Sequence, residues 1–271
     1  MSAQTVWALR LFRRSVLKQQ KWRAISRLLG PTDGLRCLDI GADNGVISYL
    51  LRRQGGSWAS ADLDPQTVEA IRALVGGEVV RLDGGRSPFA DGEFDRVVLV
   101  DCLEHLADDR GFAREIARIT KPGGEVLINV PLRKDSWLRR LRLAIGQTDE
   151  AHGHVRHGYT PQELRAVLGA DYELMAEDSY SKFCSQAVDT IITWAVRRLK
   201  CGTGLADVKG TVVTDTDLAK HRRMFLLYSA VYPAVWLVSQ MDRLVWFRSG
   251  YTLLAKARVT SQAPAAAGVR T

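Results

Sequence analysis

Residues 38–45 have the sequence Leu-Asp-Ile-Gly-Ala-Asp-Asn-Gly, in which an apolar strand end runs directly into a glycine-containing loop. Acidic residues recur near the ends of later apolar runs, at Asp62, Asp83 and Asp101. In an open α/β sheet the carboxyl ends of the strands meet at one edge, and ligands bind there. The pattern therefore predicts repeated strand–helix units that bring loops and carboxylates to one sheet edge.

Strand and helix patterns alternate from Arg36 to Val130. Short apolar runs bounded by glycines or acids predict strands, and the segments between them have helical periodicity. One helix start is marked by the capping sequence Thr160-Pro161-Gln162-Glu163. Such alternation is typical of a parallel sheet covered on both faces. We expect an α/β fold with seven mostly parallel strands, helices on both faces, a basic N-terminal helix and a helical insertion before the last strand.

The patterns divide the chain into four parts. We expect a basic N-terminal helix at 1–30, a core at 31–182 and 249–260, a helical insertion or lid at 183–248, and a disordered tail at 261–271. The insertion contains an apolar, aromatic stretch from Met224 to Val238, interrupted by Pro233. A bilayer span needs about 20 apolar residues, so this stretch is too short to cross. It is expected to pack as a lid or to enter a membrane interface.

The net charge of +8 is unevenly distributed. Basic residues with interleaved aromatic or apolar side chains cluster at 10–27 and 133–142, and a third basic group lies at 197–200. Such helices favour an anionic surface, either lipid headgroups or nucleic acid, although a solvated helix face gives the same pattern. Four cysteines without metal-site spacing and an N-terminus without a signal-like apolar core predict a cytoplasmic protein. The basic clusters predict that it is peripheral on the inner face of the membrane.

The acids of the glycine loop indicate the charge of its ligand. A dinucleotide fold uses Gly-x-Gly-x-x-Gly and places a pyrophosphate on the amides of a helix N-terminus. Here Asp39 precedes Gly41, and Asp43 stands inside the loop before Gly45. Carboxylates at these positions would repel a pyrophosphate, which disfavours a nicotinamide oxidoreductase. They suit a ligand with positive charge and amine donors, and S-adenosylmethionine has both.

Four segments carry a family resemblance: LDIGADNG, ADLDP, RLDGGRSPFADGEFDRVVLVDCLEHL and ITKPGGEVLINVP. In this order and spacing, the stretch from Leu38 to Pro131 resembles the class I S-adenosylmethionine-dependent methyltransferases. The branch is the one that includes the ubiquinone-biosynthesis enzymes, methyltransferase type 11. One departure is Asp43-Asn44, where the family more often has Gly-Thr or Gly-Ser. The resemblance implies a Rossmann-like sheet, a transferase of one-carbon groups, and S-adenosylmethionine as cofactor.

The resemblance also implies which residues bind the cofactor. They are Asp39, Gly41, Asp43, Gly45, Asp62, Leu63, Asp83, Gly84 and Asp101. The glycine-loop residues would shape the methionine end, Asp62 would accept hydrogen bonds from the ribose hydroxyls, and Leu63 would pack on the adenine. Asp83 would meet the adenine amino group beside Gly84, and the backbone near Asp101 would line the methyl-donor side. For each acid, the alternative is a loop residue that caps a turn or a helix.

A second group of residues has the chemistry for catalysis. Asp101-x-x-Glu104-His105 resembles the Glu-x-x-Glu-His metal site of ubiquinone-pathway O-methyltransferases and small-RNA 2′-O-methyltransferases, which take a further histidine after the fifth strand. His154, five residues before Tyr159, fits that position. Asp101, Glu104, His105 and His154 would together suit a divalent metal. Without a metal, His105 or His154 would act as a base, or the histidine would only orient the loop. The catalytic candidates are therefore His105, His154 and Asp101.

The segments outside the sheet are basic, aromatic or apolar, and they must supply the acceptor site. We expect O-methylation of a hydrophobic or lipid-linked small molecule near an anionic membrane surface. Nucleic acid is a less favoured partner, and the lack of an Asn-Pro-Pro-Tyr type motif after the fourth strand argues against methylation of base amino groups. RNA 2′-O-methylation and a non-catalytic binding subunit with a methyltransferase fold are the alternatives.

Overall fold

The computed structural model describes residues 3–41, 44–147, 154–200, 215–245 and 247–260. The described residues contain the strands β1 Arg36–Ile40, β2 Ser57–Asp62, β3 Val79–Arg81, β4 Phe94–Val100, β5 Thr120–Pro131, β6 Tyr172–Tyr180 and β7 Thr252–Val259. Their helices are α1 Ala3–Arg13, α2 Val16–Leu29, α3 Val46–Arg52, α4 Pro65–Val75, α5 Asp109–Ile119, α6 Trp137–Ala144, α7 Pro161–Leu168, α8 Phe183–Lys200 and α9 Asp215–Gln240. Asp43 and the predicted tail at 261–271 lie outside the described residues.

The seven strands form one sheet in the order β3-β2-β1-β4-β5-β7-β6. Strands β1 to β5 pair in parallel, and β7 runs antiparallel between β5 and β6. The predicted seven-stranded, mostly parallel α/β sheet is confirmed. The chain moves outward from β1 through β3 and then returns to place β4 on the other side of β1. The crevice at this reversal is where open α/β sheets bind ligands.

The core lies on both faces of the sheet because side chains of a strand alternate between its faces. Leu38 and Ile40 of β1 pack in the cluster that contains the apolar face of α5. Cys37 of the same strand packs in the other cluster, together with Ile25 and Leu29 of α2. The strands are therefore apolar on both sides, as a doubly covered sheet requires.

The N-terminal segment forms two helices, whereas the sequence pattern predicted a single basic helix at 1–30. The break falls at Ser15, whose hydroxyl accepts a hydrogen bond from the Lys18 backbone N–H at 3.3 Å and begins α2. Ile25 and Leu29 of α2 are buried against the sheet. Thus α2 belongs to the layer that covers the sheet, and its N-terminal half extends over the carboxyl edge.

The helices between β6 and β7 leave much apolar surface exposed. Among the described residues, α9 continues through Pro233 to Gln240, and a 3-10 turn follows at Met241–Arg243. None of the helices in the described parts of the chain has the length and apolarity required to cross a membrane. Large apolar side chains on α8 and α9 nonetheless face outward, including Ile191, Trp236 and Leu237.

Candidate active site

A pocket of about 860 Å³ opens at the carboxyl edge of the sheet. The loops after β1, β2 and β4 form one end of this pocket, and residues of α2, α6 and α8 form the other. Its volume falls within the usual range for ligand sites. The pocket therefore lies where the reversal of strand order predicts a ligand, and it is roofed by helices outside the sheet.

The glycine loop brings bare backbone to the floor of the pocket. Gly41 has a φ of 79°, and a Cβ there would stand 2.3 Å from the carbonyl oxygen of Val100. Gly45 has a φ of 81°, and its Cβ would stand 2.9 Å from the Cα of Ile71. Only glycine fits both positions without displacing backbone. Gly41 lines the pocket, whereas Gly45 caps the start of α3 behind it.

Asp39 is fully buried beneath the loop and does not line the pocket. Its carboxylate accepts hydrogen bonds from the hydroxyls of Ser48 and Ser60 and forms an ion pair with Arg52 at 3.4 Å. Burial raises the pKa of Asp39, and the bonds from Ser48 and Arg52 oppose that shift. Asp39 thus joins β1, β2 and α3 under the loop, so it shapes the pocket from below without reaching a ligand.

The other acids predicted for the cofactor separate into two groups. Asp62 and Leu63, at the end of β2, line the pocket. Asp64 also lines it, but its carboxylate caps α4 by accepting the backbone N–H of Thr67 at 2.8 Å. Asp83 is exposed and accepts the backbone N–H of Gly85 in a turn. Neither Asp83 nor the adjacent Gly84 is among the residues that line the pocket.

Asp101 is the centre of a polar network on the pocket floor. It has a φ of 46°, an uncommon conformation for a residue with a side chain. Its carboxylate binds the Lys21 ammonium of α2 and accepts a hydrogen bond from the Asn129 amide at 2.6 Å. The amide oxygen of Asn129 in turn accepts the Tyr180 hydroxyl at 2.6 Å, and burial raises the pKa of that hydroxyl. Sequence analysis missed Lys21, Asn129 and Tyr180.

Three of the predicted catalytic or metal-binding residues converge after β4. Glu104 and His105 belong to a 3-10 turn, Leu103–His105, and His154 approaches from the segment before α7. Glu104 is fully buried, and the ligand atoms of the three side chains lie within 4.8 Å of one another. The two imidazole rings meet edge to face with centroids 4.9 Å apart. Asp101, bound to Lys21, is not part of this cluster, so the predicted four-residue set is assembled only in part.

The segment that carries His154 is held to the same turn by backbone and ionic contacts. The Val155 backbone N–H donates to the Glu104 carbonyl at 2.9 Å, which places neighbouring His154 beside the turn. One residue further on, the Arg156 guanidinium pairs with Asp109 at the start of α5. The positions of His105 and His154 are therefore coupled. Two other histidines belong to this region: His152 lies outside the described residues, and His157 lines the pocket.

Tyr159 completes the attachment of this segment. Its side chain is buried, and its hydroxyl donates a hydrogen bond to the Asp109 carboxylate at 2.9 Å. The carbonyl oxygen of Leu103 is a second acceptor, 3.1 Å from the same hydroxyl oxygen. Its backbone N–H donates to the Pro131 carbonyl at the end of β5, also at 2.9 Å. Burial and the Asp109 charge raise the pKa of Tyr159, so the hydroxyl remains a donor at neutral pH.

Residues 38–128 match the family model described as a methyltransferase domain. The matched range begins in β1 and ends in β5, so it contains the glycine loop, Asp62, Asp101 and the Glu104–His105 turn. This stretch is a methyltransferase domain. The family resemblance predicted from the sequence motifs is thus confirmed, and the domain supplies the cofactor end of the pocket but not the helices over its other end.

Curated relatives cover part of the chain. The demethylmenaquinone methyltransferase of Tropheryma whipplei is 32% identical over 118 residues, which are 42% of this chain and 49% of that protein. The ubiquinone biosynthesis O-methyltransferase of Erwinia tasmaniensis is 28% identical over 162 residues, or 51% and 66% of the two chains. The chain therefore spans about half to two thirds of the length of these relatives.

Solved structures share the fold across most of the chain. A S-adenosylmethionine-dependent methyltransferase from Mesorhizobium loti aligns with a TM-score of 0.52 and 16% identity, covering 88% of this chain and 96% of that one. At this identity the likeness shows the fold alone. The likeness in fold thus covers more of the chain than the family model, whose match ends in β5.

The family implies S-adenosylmethionine, and the donor set of the pocket fits that molecule. The lining carboxylates of Asp62, Asp64 and Glu104 give its cofactor end a negative character that complements a sulfonium and an ammonium group, while Asp101 is paired with Lys21. Leu63 offers an apolar surface beside Asp62, and Gly41 leaves its backbone open to the pocket. These residues would hold the cofactor, whereas Asp83 and Gly84 stand outside the lining.

Proposed function

We propose that this protein is a S-adenosylmethionine-dependent methyltransferase that methylates a hydroxyl group of a hydrophobic small molecule. The observation that carries the proposal is the His105–His154 pair beside buried Glu104, in the same pocket as Gly41 and Asp62. One end of the pocket has the acids that suit the cofactor, and the paired imidazoles offer a base next to it. The curated O-methyltransferase relative supports oxygen as the methyl acceptor.

Each residue has a role that follows from its position. When bound, the cofactor supplies a methyl carbon that is already activated for in-line displacement, so alignment gives much of the rate. Asp62 would accept the ribose hydroxyls, and Asp101, fixed by Lys21, would line the methyl-donor side. A hydroxyl acceptor must also lose its proton, and His154 or His105 would take it. Glu104 would stabilise the resulting imidazolium.

Two measurements test this proposal. Calorimetry with S-adenosylmethionine should show saturable heat, and labelled methyl groups should transfer to catechol, a simple hydroxyl acceptor. Removing the base, by His154→Gln or His105→Gln, should lower the rate about 10²- to 10⁴-fold while cofactor binding stays intact. His157→Gln is the matched control, because His157 lines the pocket but lies outside the three-residue cluster. Full activity in both base variants would contradict the assigned roles.

The same cluster fits a divalent metal as a second possibility for activating the hydroxyl. One carboxylate and two imidazoles form a donor set for first-row divalent ions, and Glu104, His105 and His154 would hold the ion. A bound ion lowers the pKa of a coordinated hydroxyl. Dialysis against a chelator followed by addition of Mg²⁺, Mn²⁺, Fe²⁺ or Zn²⁺ separates the cases. A metal-dependent enzyme loses activity and regains it with an ion, and unchanged activity contradicts the metal.

We also propose that the protein works at an anionic membrane surface. Many large apolar side chains on and after α6, α8 and α9 are exposed, and we use the name apolar face for this set of residues, which lie on several helices: Trp137, Leu141, Leu143, Ile191, Trp194, Leu226, Val231, Trp236, Leu237, Val238, Met241, Leu244 and Phe247. Helices that combine an apolar face with basic residues bind in the plane of anionic bilayers. Single scattered apolar residues are common on surfaces, but a set of this size favours an interface.

Liposome co-sedimentation tests the membrane proposal. Vesicles with anionic lipid should bind the protein at physiological salt, and Trp236→Ser with Leu237→Ser should weaken that binding. Val155→Ser, which changes an exposed apolar residue elsewhere on the surface, is the matched control. The proposal is contradicted if the protein does not bind the vesicles, or if the double variant binds them as the wild type does. A partner protein or a second copy of the chain would then be the alternative cover for the apolar face.

Two other functions predict different experimental outcomes. An RNA 2′-O-methyltransferase would retain RNA in electrophoresis, with an affinity that falls steeply with salt. A non-catalytic subunit with this fold would give no heat with S-adenosylmethionine. The glycines that keep the loop open and the position of Asp62 in the lining favour a protein that binds the cofactor.

A further inference from the structure

The charges that line the pocket are divided between its two ends. The cofactor end carries the carboxylates of Asp62, Asp64 and Glu104, while Asp101 is paired with Lys21. The opposite end, formed by α2, α6, α8 and the segment after β5, carries mostly basic lining residues: Lys18, Lys134, Arg139 and Arg142, with Asp189 as the acid among the described ones. A neutral acceptor would not account for this basic end.

Arg142 on α6 is held in place by neutral partners. Its guanidinium donates to the side-chain oxygen of Gln186 at 2.8 Å and to that of Gln147 at 3.2 Å. Both amides are buried, and Gln147 is itself fixed because its amide donates to the Thr190 carbonyl at 3.2 Å. In the described part of the chain, the hydrogen bonds of Arg142 therefore orient its side chain without neutralising its charge.

Lys134, in the segment after β5, is a second cation in the same lining. Its ammonium donates to the carbonyl oxygen of Ser249 at 2.9 Å and to the hydroxyl at 3.1 Å, and it stands 5.2 Å from the ring centroid of Tyr251. Burial, followed by the charge of Arg248, lowers the pKa of Lys134. A partly buried ammonium beside another cation gains stability when an anion binds next to it.

We propose that the methyl acceptor carries an anionic group, a carboxylate or a phosphate, which binds Arg142 and Lys134 at the basic end of the pocket. This inference rests on the proposed function and specifies its substrate class. A guanidinium held by two amides presents its remaining N–H groups in the fixed geometry that matches carboxylate and phosphate oxygens. The acceptor would thus place its acidic group on α6 and direct its hydroxyl toward His105 and His154.

The test uses three aromatic probes of similar size that differ in charge: benzoate, phenyl phosphate and the neutral benzamide. Each is titrated calorimetrically into the full-length protein saturated with S-adenosylhomocysteine, so that the carboxylate of the cofactor occupies its own place. At least one anion should bind with a Kd about tenfold or more below that of benzamide. The tighter of the two anions identifies the group as carboxylate or phosphate.

Variants assign the effect to the proposed residues. Arg142→Gln and Lys134→Gln should each weaken the preferred anion about tenfold and leave benzamide unchanged. Arg142→Lys keeps the charge, so it should recover part of the lost anion affinity. Such a recovery would show that the loss in Arg142→Gln does not come from altered packing at Gln186. Arg140→Gln is the matched control, since Arg140 lies on the same helix but is exposed and paired with Asp135.

The possible results separate this inference from the proposed function. Equal affinity for benzoate, phenyl phosphate and benzamide, or no binding of any probe, overturns the anionic acceptor. The same holds if Arg142→Gln and Lys134→Gln both bind the anion as the wild type does. Binding of S-adenosylhomocysteine is measured on the same samples beforehand. Its absence overturns the proposed function, and the three probes are then compared without it.

Discussion

The attachment of the His154 segment gives a quantitative prediction through Tyr159. The change Tyr159→Phe removes one hydroxyl and leaves the buried ring in place. That hydroxyl donates to the Asp109 carboxylate at 2.9 Å and stands 3.1 Å from the Leu103 carbonyl. A hydrogen bond to a charged group contributes about 1.5–3 kcal/mol to stability. Because Arg156 still pairs with Asp109 in the variant, we expect the lower part of that range, about 1.5–2 kcal/mol.

The chain offers a matched control for the same chemical change. The Tyr172 hydroxyl is also buried, but it donates to a neutral acceptor, the Ala113 carbonyl, at 2.6 Å. A neutral hydrogen bond contributes about 1 kcal/mol, so Tyr172→Phe should cost less than Tyr159→Phe. Urea unfolding at pH 7 measures both free energies, and each kcal/mol lowers Tm by roughly 2 °C or slightly more in a chain of this size.

The comparison can refute the assigned role of Asp109. If Tyr159→Phe costs no more than Tyr172→Phe, the carboxylate does not strengthen the bond and the hydroxyl is not what holds the segment. A second readout follows the function: a loosened segment moves His154 away from His105, so methyl transfer to catechol should fall in Tyr159→Phe while S-adenosylhomocysteine affinity stays unchanged. Tyr172→Phe should change neither quantity.

Four further predictions follow from other parts of the structure. Gly41→Ala should weaken S-adenosylhomocysteine at least about tenfold in calorimetry with an unchanged far-UV spectrum, because the new methyl group meets a backbone carbonyl. Thr160→Ala should destabilise the protein by about 1 kcal/mol in urea, through loss of the cap of α7. The backbone N–H of Thr160 lowers the pKa of Glu163, so the cost of Glu163→Ala should be present at pH 7 and shrink as the pH falls below the ordinary carboxyl pKa of 4.5. Burial raises the pKa of the Cys37 thiol to about 12, so iodoacetamide at pH 8 should label Cys37 only after unfolding, as peptide mass spectrometry would show.

Much of the fold follows from local sequence. The strand positions of β1, β2 and β4 are marked by apolar runs that end in glycine or acid, and those signals need no long-range information. The start of β5 is an exception: Lys121-Pro122-Gly123-Gly124 is a sequence typical of a turn, but it lies inside β5, which begins at Thr120. A register shift between Phe94 and Arg96 of β4 accommodates the extra residues.

The fate of the individual acids was harder to predict. Alternation along β1 places Leu38 and Ile40 on one face and Asp39 on the other, but it does not say that Ser48, Ser60 and Arg52 will surround that carboxylate. These partners come from α3 and β2, and their position depends on packing. Cofactor binding therefore stays a prediction for Asp62, which lines the pocket, whereas Asp39 supports the loop from below without lining the pocket.

The polar network on the pocket floor could not be predicted from spacing. Lys21 and Asp101 are separated by 80 positions, and Asn129 and Tyr180 by 51. Their contacts depend on how α2 crosses the sheet and on the place of β7 between β5 and β6. Sequence patterns fix the elements and the residue types at their ends, but not which distant helix reaches a given strand end.

Helix α2 both covers the sheet and contributes a residue to the pocket. Ile25 and Leu29 seal one face of the sheet, and Lys21, one turn earlier, binds Asp101 at the reaction edge. A truncation or domain exchange made at residue 30 would therefore expose one face of the sheet and also remove the part of the pocket wall that α2 forms. Chimaeras that transplant this edge of the sheet into another scaffold must carry residues 16–29 with it. The pocket residues on α6 and α8 can be changed without that loss, because none of them belongs to the core cluster that α2 forms with β1.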